Sequence, residues 1–355
     1  MTQLQIRPKH NKVLFFSDLH LGVHQNSKTW HDICLDLAQW IDGRMAEHDL
    51  DTIFFAGDVF HDRHEIGVNT LHVAKQFFDI LGKYQIHILP GNHDAFLSST
   101  VEVNSVEILA KDNIHVYTKP TTIQVGDKLV TFCPWKTVVG ELKPVDMIIG
   151  HFEIVNFKMN AHKICDHGDT SNNFFQKASA VVTGHFHYRE QRKYEDNKYV
   201  LYLGSPYEMD FSDRGQQKGV TIISFDDITD VQFITNEITP KHFRLKISEL
   251  IQKKYKDLPF IIKGNIISIY VDTKIDTLTL DLLTSKLAQY GPLQFKTEFD
   301  ILDNAQNNTK DIKKLSIDIE TAFHEFVEHI ETRATKKEVL EKCLDLYKIC
   351  QTSYE

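Results

Sequence analysis

Five short polar motifs, each directly after an apolar stretch, constrain this chain more than any other feature of its sequence. The motifs are SDLH (17–20), GDVFH (57–61), GNHD (91–94), GHFE (150–153) and GHFH (184–187). The apolar stretches are short and rich in β-branched and aromatic residues, which is typical of buried strands. Because loops at the carboxyl ends of strands in α/β sheets converge, we expect these motifs to share one site.

The first 240 residues alternate strand patterns with helical ones. Strands are predicted at 13–16, 52–56, 86–89, 121–125, 129–133, 147–149, 180–183, 199–203, 220–224 and 231–234. Apolar residues recur at helical spacing over 33–41 and 71–81. Strands and helices alternate at the start, and the second half of this region is rich in strands. This order favours a layered α/β sandwich over a purely parallel sheet.

The chain after Pro240 is expected to form two further parts. Strand patterns at 261–271 and 293–299 flank a helix pattern at 278–290, which predicts a small βαβ module. The polar run 303–310 has the composition of a linker, and two amphipathic helices are predicted after it, the second with Thr335 and Glu338 at capping-box spacing. The predicted domains are therefore 1–240, 241–302 and 303–355.

The charge is distributed unevenly along the chain, and one basic stretch is suited to binding DNA. A net charge of −9 argues against a chain that grips nucleic acid through overall basicity. Residues 241–355, however, carry 18 Lys+Arg and 18 Asp+Glu, so the acidic excess lies entirely before them. The candidate DNA-binding residues at the start of this neutral part are Lys241, Arg244, Lys246, Lys253, Lys254 and Lys256.

Cysteine usage and the amino terminus indicate a cytoplasmic protein. The five cysteines are scattered and never form a CxxC pair, so we expect reduced thiols rather than disulfides or a zinc site. The first residues show no signal-peptide pattern, and no apolar run approaches the length of a membrane span.

The motif residues have the chemistry of transition-metal ligands. Asp18 and His20 are two residues apart, so on a continuing strand they would point the same way, and His185 and His187 repeat this spacing. Mixed imidazole and carboxylate ligation suits manganese, iron or zinc better than calcium or magnesium. Two divalent ions beside only two carboxylates, Asp18 and Asp58, would leave positive charge to attract a phosphodiester.

On these motifs the sequence resembles the calcineurin-like metallophosphoesterases, and within them the SbcD-type nuclease subunits with their phage, archaeal and eukaryotic relatives. The resemblance covers about residues 13–207. It implies a four-layer α/β/β/α sandwich with a small α+β capping domain and C-terminal helices. It also implies two Mn²⁺ ions, for which Mg²⁺ could substitute. The implied ligands are Asp18, His20, Asp58, Asn92, His151, His185 and His187, and Asp58 would bridge the two ions.

The same resemblance implies roles for three more residues. His93 would act on the scissile phosphate or the leaving oxygen, with Asp94 buttressing it. His61 stands where many phosphodiesterases carry Asp, and in the archaeal and eukaryotic relatives a His here is linked to exonucleolytic handling of the DNA end. The implied protein is a DNA exonuclease and endonuclease subunit in end processing, repair or recombination. It would act with an SbcC-type coiled-coil ATPase, as a homodimer within a heterotetramer, in the host cytoplasm if it is phage-encoded.

Three other functions match parts of the pattern. A phosphoprotein phosphatase of the same superfamily usually reads GDxxDRG and GNHE, whereas this chain has GDVFHDR and GNHD. A small-molecule or cyclic-nucleotide phosphodiesterase shares the metal motifs but would not need the 115 residues after Pro240. A non-catalytic scaffold typically loses ligands, and here all of them are present. We therefore expect a metal-dependent DNA nuclease.

Overall fold

The computed structural model describes residues 4–299, 327, 335–342 and 344. Its strands are β1 (Gln5–Ile6), β2 (Lys12–Phe16), β3 (Thr52–Phe55), β4 (Gln85–Ile88), β5 (Ala95–Leu97), β6 (Thr100–Asn104), β7 (Ile114–Val116), β8 (Thr121–Val125), β9 (Lys128–Cys133), β10 (Met147–His151), β11 (Ala180–Gly184), β12 (Glu190–Lys193), β13 (Tyr199–Tyr202), β14 (Gly219–Ser224), β15 (Val231–Thr235), β16 (His242–Lys246), β17 (Ile266–Val271) and β18 (Gln294–Phe299). Its helices are α1 (Val23–Asn26), α2 (Lys28–Glu47), α3 (Val68–Ile80), α4 (Ser171–Phe175), α5 (Ile247–Ile251), α6 (Leu258–Ile262) and α7 (Thr277–Ala288).

Two large mixed sheets dominate the described residues. One has seven strands in the order β1-β8-β9-β10-β11-β13-β12, and the other has six in the order β15-β14-β2-β3-β4-β7. The strands that precede the motifs run parallel: β2, β3 and β4 in the six-stranded sheet, and β10 and β11 in the seven-stranded one. All five motifs therefore lie at carboxyl ends of parallel strands, where the sequence pattern predicted them.

The two sheets pack face to face, and alternation along each strand separates the inner face from the outer one. Phe15 and Phe54 belong to the core between the sheets, together with Phe132 and Ile149 from the seven-stranded sheet. The alternate residues of the six-stranded sheet pack under α2 and α3. The outer face of the seven-stranded sheet is covered by α4 and loops. These layers form the expected α/β/β/α sandwich, with a thin fourth layer.

All ten strands predicted before Pro240 are present, and the expectation for 261–271 needs a correction. Only β17 is extended there, because α6 occupies the start of the predicted strand. Pro259 lies in the first turn of α6, where its missing N–H costs nothing and its fixed φ favours a helix. The predicted helix and following strand are found as α7 and β18, which form with β16 and β17 a small three-stranded sheet and its helix.

The chain divides into two compact units, residues 1–269 with 275–296, and residues 270–274 with 297–355. The predicted domain boundaries stay predictions. A buried contact joins the chain before residue 240 to the chain after it: the Glu208 carboxylate accepts hydrogen bonds from the backbone N–H of His242 at 2.6 Å and from its ring at 3.2 Å.

Little of the predicted C-terminal helix pair falls within the described residues. In the part that does, Glu338 accepts a hydrogen bond from the backbone N–H of Thr335 at 2.9 Å, and Thr335 Oγ1 accepts one from the N–H of Glu338 at 3.4 Å. These reciprocal bonds are the predicted capping box. Among the described helices, none is long and apolar enough to span a membrane.

Replacing Phe54 by Ala is expected to destabilise the protein by about 3–5 kcal/mol, the usual cost of emptying a buried phenyl site. Phe54 is fully buried between the sheets, with its ring centroid 5.2 Å from that of Phe15 and 4.9 Å from that of Phe132. Urea denaturation gives the free energy of unfolding. The matched control is Phe260→Ala at an 85% exposed position, for which a change within about 0.5 kcal/mol is expected. An equal loss in both variants would contradict this packing.

Candidate metal centre

The five motif loops bring their polar side chains together between the ends of the two sheets. Among the described residues, three groups of three donors each have ligand atoms within 4.8 Å of one another, and the third, which shares a residue with the first, is formed by His20, His61 and His93. The first consists of Asp18, His20 and His187, and the second of Asp58, His151 and His185. These are the residues that the resemblance assigned to two separate ions.

Asp58 lies between the two groups. Its Oδ2 atom is 3.2 Å from His151 Nε2 in the second group and 3.6 Å from His20 Nε2 in the first. Its other oxygen, Oδ1, accepts a hydrogen bond from the backbone N–H of His93 at 2.8 Å. One carboxylate oxygen therefore faces both groups, as a bridging ligand requires.

Asn92 completes the second group. Its Oδ1 atom is 3.0 Å from His151 Nε2 and 2.7 Å from His185 Nδ1. In the first group, His20 Nε2 and His187 Nε2 are 3.1 Å apart, a distance that needs a shared proton or a cation between the two nitrogens. The donor set of carboxylate, amide oxygen and imidazole fits two borderline divalent ions such as Mn²⁺.

Four of the seven expected ligands have an unusual backbone conformation. Asp18, His20, Asp58 and His185 have φ values of 55°, 49°, 59° and 91°. Positive φ costs a non-glycine residue free energy and persists only where the surroundings enforce it. At His185 that constraint includes a hydrogen bond from its N–H to Asp18 Oδ1 at 3.0 Å. The ligand-bearing backbone is thus held in place by contacts between loops.

Asp94 holds the loop that carries Asp58. Its buried carboxylate accepts hydrogen bonds from four backbone N–H groups at 2.8–3.1 Å, those of Asp58, Val59, Phe60 and Gly91. The expectation that Asp94 buttresses His93 is corrected accordingly, because the His93 ring bonds elsewhere. Asp94 positions the bridging ligand by joining the GDVFH and GNHD loops.

The His93 ring is held by His61 through the backbone. Its Nδ1–H donates to the His61 carbonyl at 2.6 Å, which directs Nε2 away from that contact. The rings of His61 and His93 are stacked with centroids 5.6 Å apart, and the His20 ring lies edge-on to His93 at 4.7 Å. Both histidines that the resemblance singled out therefore flank the first donor group.

Sequence reasoning missed Glu153, which orients a ligand. Glu153 Oε1 is 3.5 Å from His185 Nε2, the ring nitrogen opposite the one that faces Asn92. The Ala56 carbonyl does the same for His151, accepting from Nδ1 at 2.8 Å. Such outer partners set the tautomer of a metal-binding imidazole. The only signal for Glu153 was its place at the end of the GHFE motif.

A buried lysine that had no assigned role supports the loop of His187. Lys218 Nζ donates to the His187 carbonyl at 2.8 Å, to Ser205 Oγ at 2.7 Å and to Asp213 at 2.8 Å. Tyr207 likewise donates its hydroxyl to the Leu19 carbonyl at 2.9 Å, inside the SDLH motif. The segments GSPY (204–207) and SDRGQQKG (212–219) thus secure two of the loops that carry expected ligands.

The electrostatics of the side chains at the centre favour an ion pair between Asp58 and His151. Burial opposes charge on Asp58, but neighbouring His151 outweighs it and lowers the pKa of the carboxyl well below its usual range. Burial likewise opposes charge on His151, yet the Asp58 carboxylate raises the pKa of that imidazole to about 9. Since a ligating imidazole must be neutral on the metal side, binding of an ion at His151 has to release a proton. Acid should therefore weaken metal binding here.

The basic residues after Pro240 differ in their exposure. Lys241, Lys246, Lys253, Lys254 and Lys256 are exposed, and the last three lie in the turn between α5 and α6. Arg244 is half-buried, with its guanidinium carbon 5.8 Å from the centroid of the Phe211 ring. DNA binding by these six residues stays a prediction.

Comparison with known proteins finds a relative in a bacteriophage. No model of a known protein family matches the sequence. Exonuclease subunit 1 of Enterobacteria phage T4 is 27% identical in an alignment of 245 residues that covers 64% of this chain and 68% of that protein.

Two solved structures are similar at a low level. The Pseudomonas putida nuclease MPE has a TM-score of 0.28 and 21% identity over 40% of this chain, which spans 62% of that structure. GAP50, described as the anchor in the inner membrane complex of Plasmodium, has a TM-score of 0.35 and 10% identity over 64% of this chain and 89% of its own. At these TM-scores neither structure can transfer a function.

Replacing Gly91 by Ala should lower the affinity for Mn²⁺ by roughly 10- to 100-fold, the usual effect of disturbing the support of a metal ligand. A Cβ atom at Gly91 would lie 2.2 Å from Asp58 Oδ1 and 2.6 Å from the Asp58 backbone nitrogen, so the bridging carboxylate would have to move. Isothermal titration with Mn²⁺ measures the loss.

The control for this prediction is Gly43→Ala, inside α2 and four residues before its end, where a Cβ would meet no atom within 4 Å. That variant should bind Mn²⁺ like the natural sequence and gain up to about 1 kcal/mol of stability from helix propensity. Unchanged Mn²⁺ binding in folded Gly91→Ala would show that Asp58 does not hold the ions.

Proposed function

We propose that this chain is the catalytic subunit of a metal-dependent DNA nuclease that hydrolyses phosphodiester bonds. The observation that carries the proposal is the pair of donor groups that share Asp58. The likeness to an exonuclease subunit of phage T4 supports DNA as the substrate over a small phosphodiester. The reaction would be exonucleolytic, with endonucleolytic cleavage as a second activity, and would serve DNA repair or recombination.

The residues present suit two Mn²⁺ ions. Asp18, His20 and His187 would hold one, Asn92, His151 and His185 the other, and Asp58 would contact both. When bound, the ions would supply positive charge for the phosphate and lower the pKa of water to provide a nucleophile. The protein supplies the rigid placement of the donors, since Asp94, Glu153 and Lys218 each fix a ligand or its loop.

His93 is suited to proton transfer. Its Nδ1–H is committed to the His61 carbonyl, so Nε2 is the nitrogen that would give a proton to the leaving oxygen. The stacked His61 ring is more exposed and would contact the DNA end. The role that we propose for His61 is thus positioning of the strand.

The chain would act within a larger assembly. The phage T4 relative is named a subunit, which supports a multi-subunit complex. We propose that two copies of this chain pair with an SbcC-type coiled-coil ATPase, and that the complex acts on DNA in the cytoplasm. The two C-terminal helices predicted from the sequence would dock on the ATPase, and the DNA phosphates would be contacted by Lys241, Arg244, Lys246, Lys253, Lys254 and Lys256.

The test is cleavage of linear duplex DNA and of bis(p-nitrophenyl) phosphate, in Mn²⁺ and then in Mg²⁺, by the natural chain and by His93→Ala. The natural chain should cleave both substrates in Mn²⁺. The variant should lose about 100-fold or more in turnover, the usual contribution of a general acid, while it still binds two Mn²⁺ ions.

The matched control is His72→Ala, at an exposed position on α3, which should retain full activity. Turnover of the small diester with no DNA cleavage, even when a coiled-coil ATPase partner is added, would refute the DNA nuclease. Loss of metal from His93→Ala would instead show that His93 is a ligand.

A further inference from the structure

A cavity of about 330 Å³ with aromatic walls lies outside the donor groups. Trp30 and His242 are buried in its wall, while His24 is exposed and Phe211 and Phe295 are half-buried. The His24 and Trp30 rings are stacked with centroids 4.3 Å apart, and the Phe211 and His242 rings meet edge to face at 4.8 Å. The volume is at the lower end of the range for small-ligand sites and is wide enough for one aromatic ring system.

Two cations stand at the Phe211 side of this cavity. Lys296 Nζ lies 4.3 Å from the centroid of the Phe211 ring, and the guanidinium carbon of Arg244 lies 5.8 Å from it. Asp210 also lines the cavity. Its carboxylate opposes a phosphate inside, whereas Arg244 and Lys296 favour one at the rim. The charge pattern therefore suits a ligand with an uncharged ring and an attached anion.

The cavity is connected to the loop that carries the first donor group. The Trp30 ring in its wall has its centroid 6.2 Å from that of Tyr207, whose hydroxyl donates to the Leu19 carbonyl inside the SDLH motif at 2.9 Å. His24, which also lines the cavity, follows that motif by four residues. The Trp30 indole N–H, moreover, has no hydrogen-bond acceptor among the described residues, although its nitrogen is buried.

We propose that this cavity is a nucleobase subsite, which takes one unpaired base of a DNA strand whose phosphates continue toward the metal centre. The proposal rests on the nuclease function proposed above. Base stacking on Phe211 and His24 would hold the strand with little sequence preference, because every base has a π-face. Arg244 and Lys296 would contact the phosphates on either side of that base. Opening of the DNA end would accordingly precede cleavage.

The experiment is steady-state cleavage of a single-stranded oligonucleotide in Mn²⁺ by Phe211→Ala, with bis(p-nitrophenyl) phosphate as the reference substrate. Loss of one base stack should lower the ratio of kcat/KM for DNA to kcat/KM for the small diester by about tenfold. Phe211→Tyr keeps the ring and should restore the ratio. Tyr194 does not line this cavity, so Tyr194→Ala, which also removes an aromatic ring, should leave the ratio of the two kcat/KM values unchanged.

A series of oligonucleotides with one abasic residue at successive positions tests whether a base occupies the cavity. With the natural chain, one abasic position should lower kcat/KM by about as much as Phe211→Ala does, and the same position should have no further effect in that variant. An abasic effect that is equally large in both proteins would overturn the subsite. Equal losses on DNA and the small diester in Phe211→Ala would also overturn it, since they indicate a structural defect.

If the natural chain cleaves neither substrate, both the proposed nuclease function and the proposed subsite are refuted. If the natural chain cleaves both substrates and Phe211→Ala leaves the ratio of the two kcat/KM values unchanged, only the subsite is refuted.

Discussion

The Asp58 carboxylate is the group on which the rest of the centre depends. One of its oxygens faces both donor groups, and the other is tied to the backbone of the GNHD loop. Its backbone is fixed from behind by Asp94, whose carboxylate gathers N–H groups from two different loops. Burial, together with the negative charge of Asp58, raises the pKa of Asp94 to about 7. Two buried acids are thus kept close together, which is costly unless cations neutralise part of their charge.

The cost of this arrangement is visible in the backbone. Asp18, His20, Asp58 and His185 all have positive φ, and Gly57, with φ of 92°, has no room for a Cβ because His151 Nδ1 would lie 2.6 Å away. Conformations of this kind are retained where function requires them. The large core between the sheets supplies the stability that offsets the strain, since it anchors β2, β3, β10 and β11 immediately before the loops begin.

The sequence predicted the scaffold, and the side chains that meet at its strand ends, for a simple reason. Buried strands need apolar runs, and ligands at strand ends follow those runs directly, so both are visible as local patterns. The short strands β5, β6 and β12 were missed because few of their residues are buried. The start of the predicted strand at 261 was wrong because the apolar run there belongs to a helix that begins beside Pro259.

The supporting residues could not be predicted in the same way. Asp94 bonds to amides 34–36 residues away, and Lys218 reaches a carbonyl 31 residues earlier in the chain. Glu153 meets His185 only because β10 and β11 are adjacent in the sheet. These contacts arise from tertiary structure and leave no spacing pattern. The aromatic cavity is a similar case, since its walls come from α1, α2, the segment after GSPY, and strands beyond Pro240.

The most direct measurement of the central claim is the anomalous scattering of manganese in crystals of the protein grown with Mn²⁺. Two peaks are expected, one beside Asp18, His20 and His187 and the other beside Asn92, His151 and His185, with Asp58 in contact with both. A single peak, or two peaks that do not share Asp58, would contradict the account of a bridged two-metal centre.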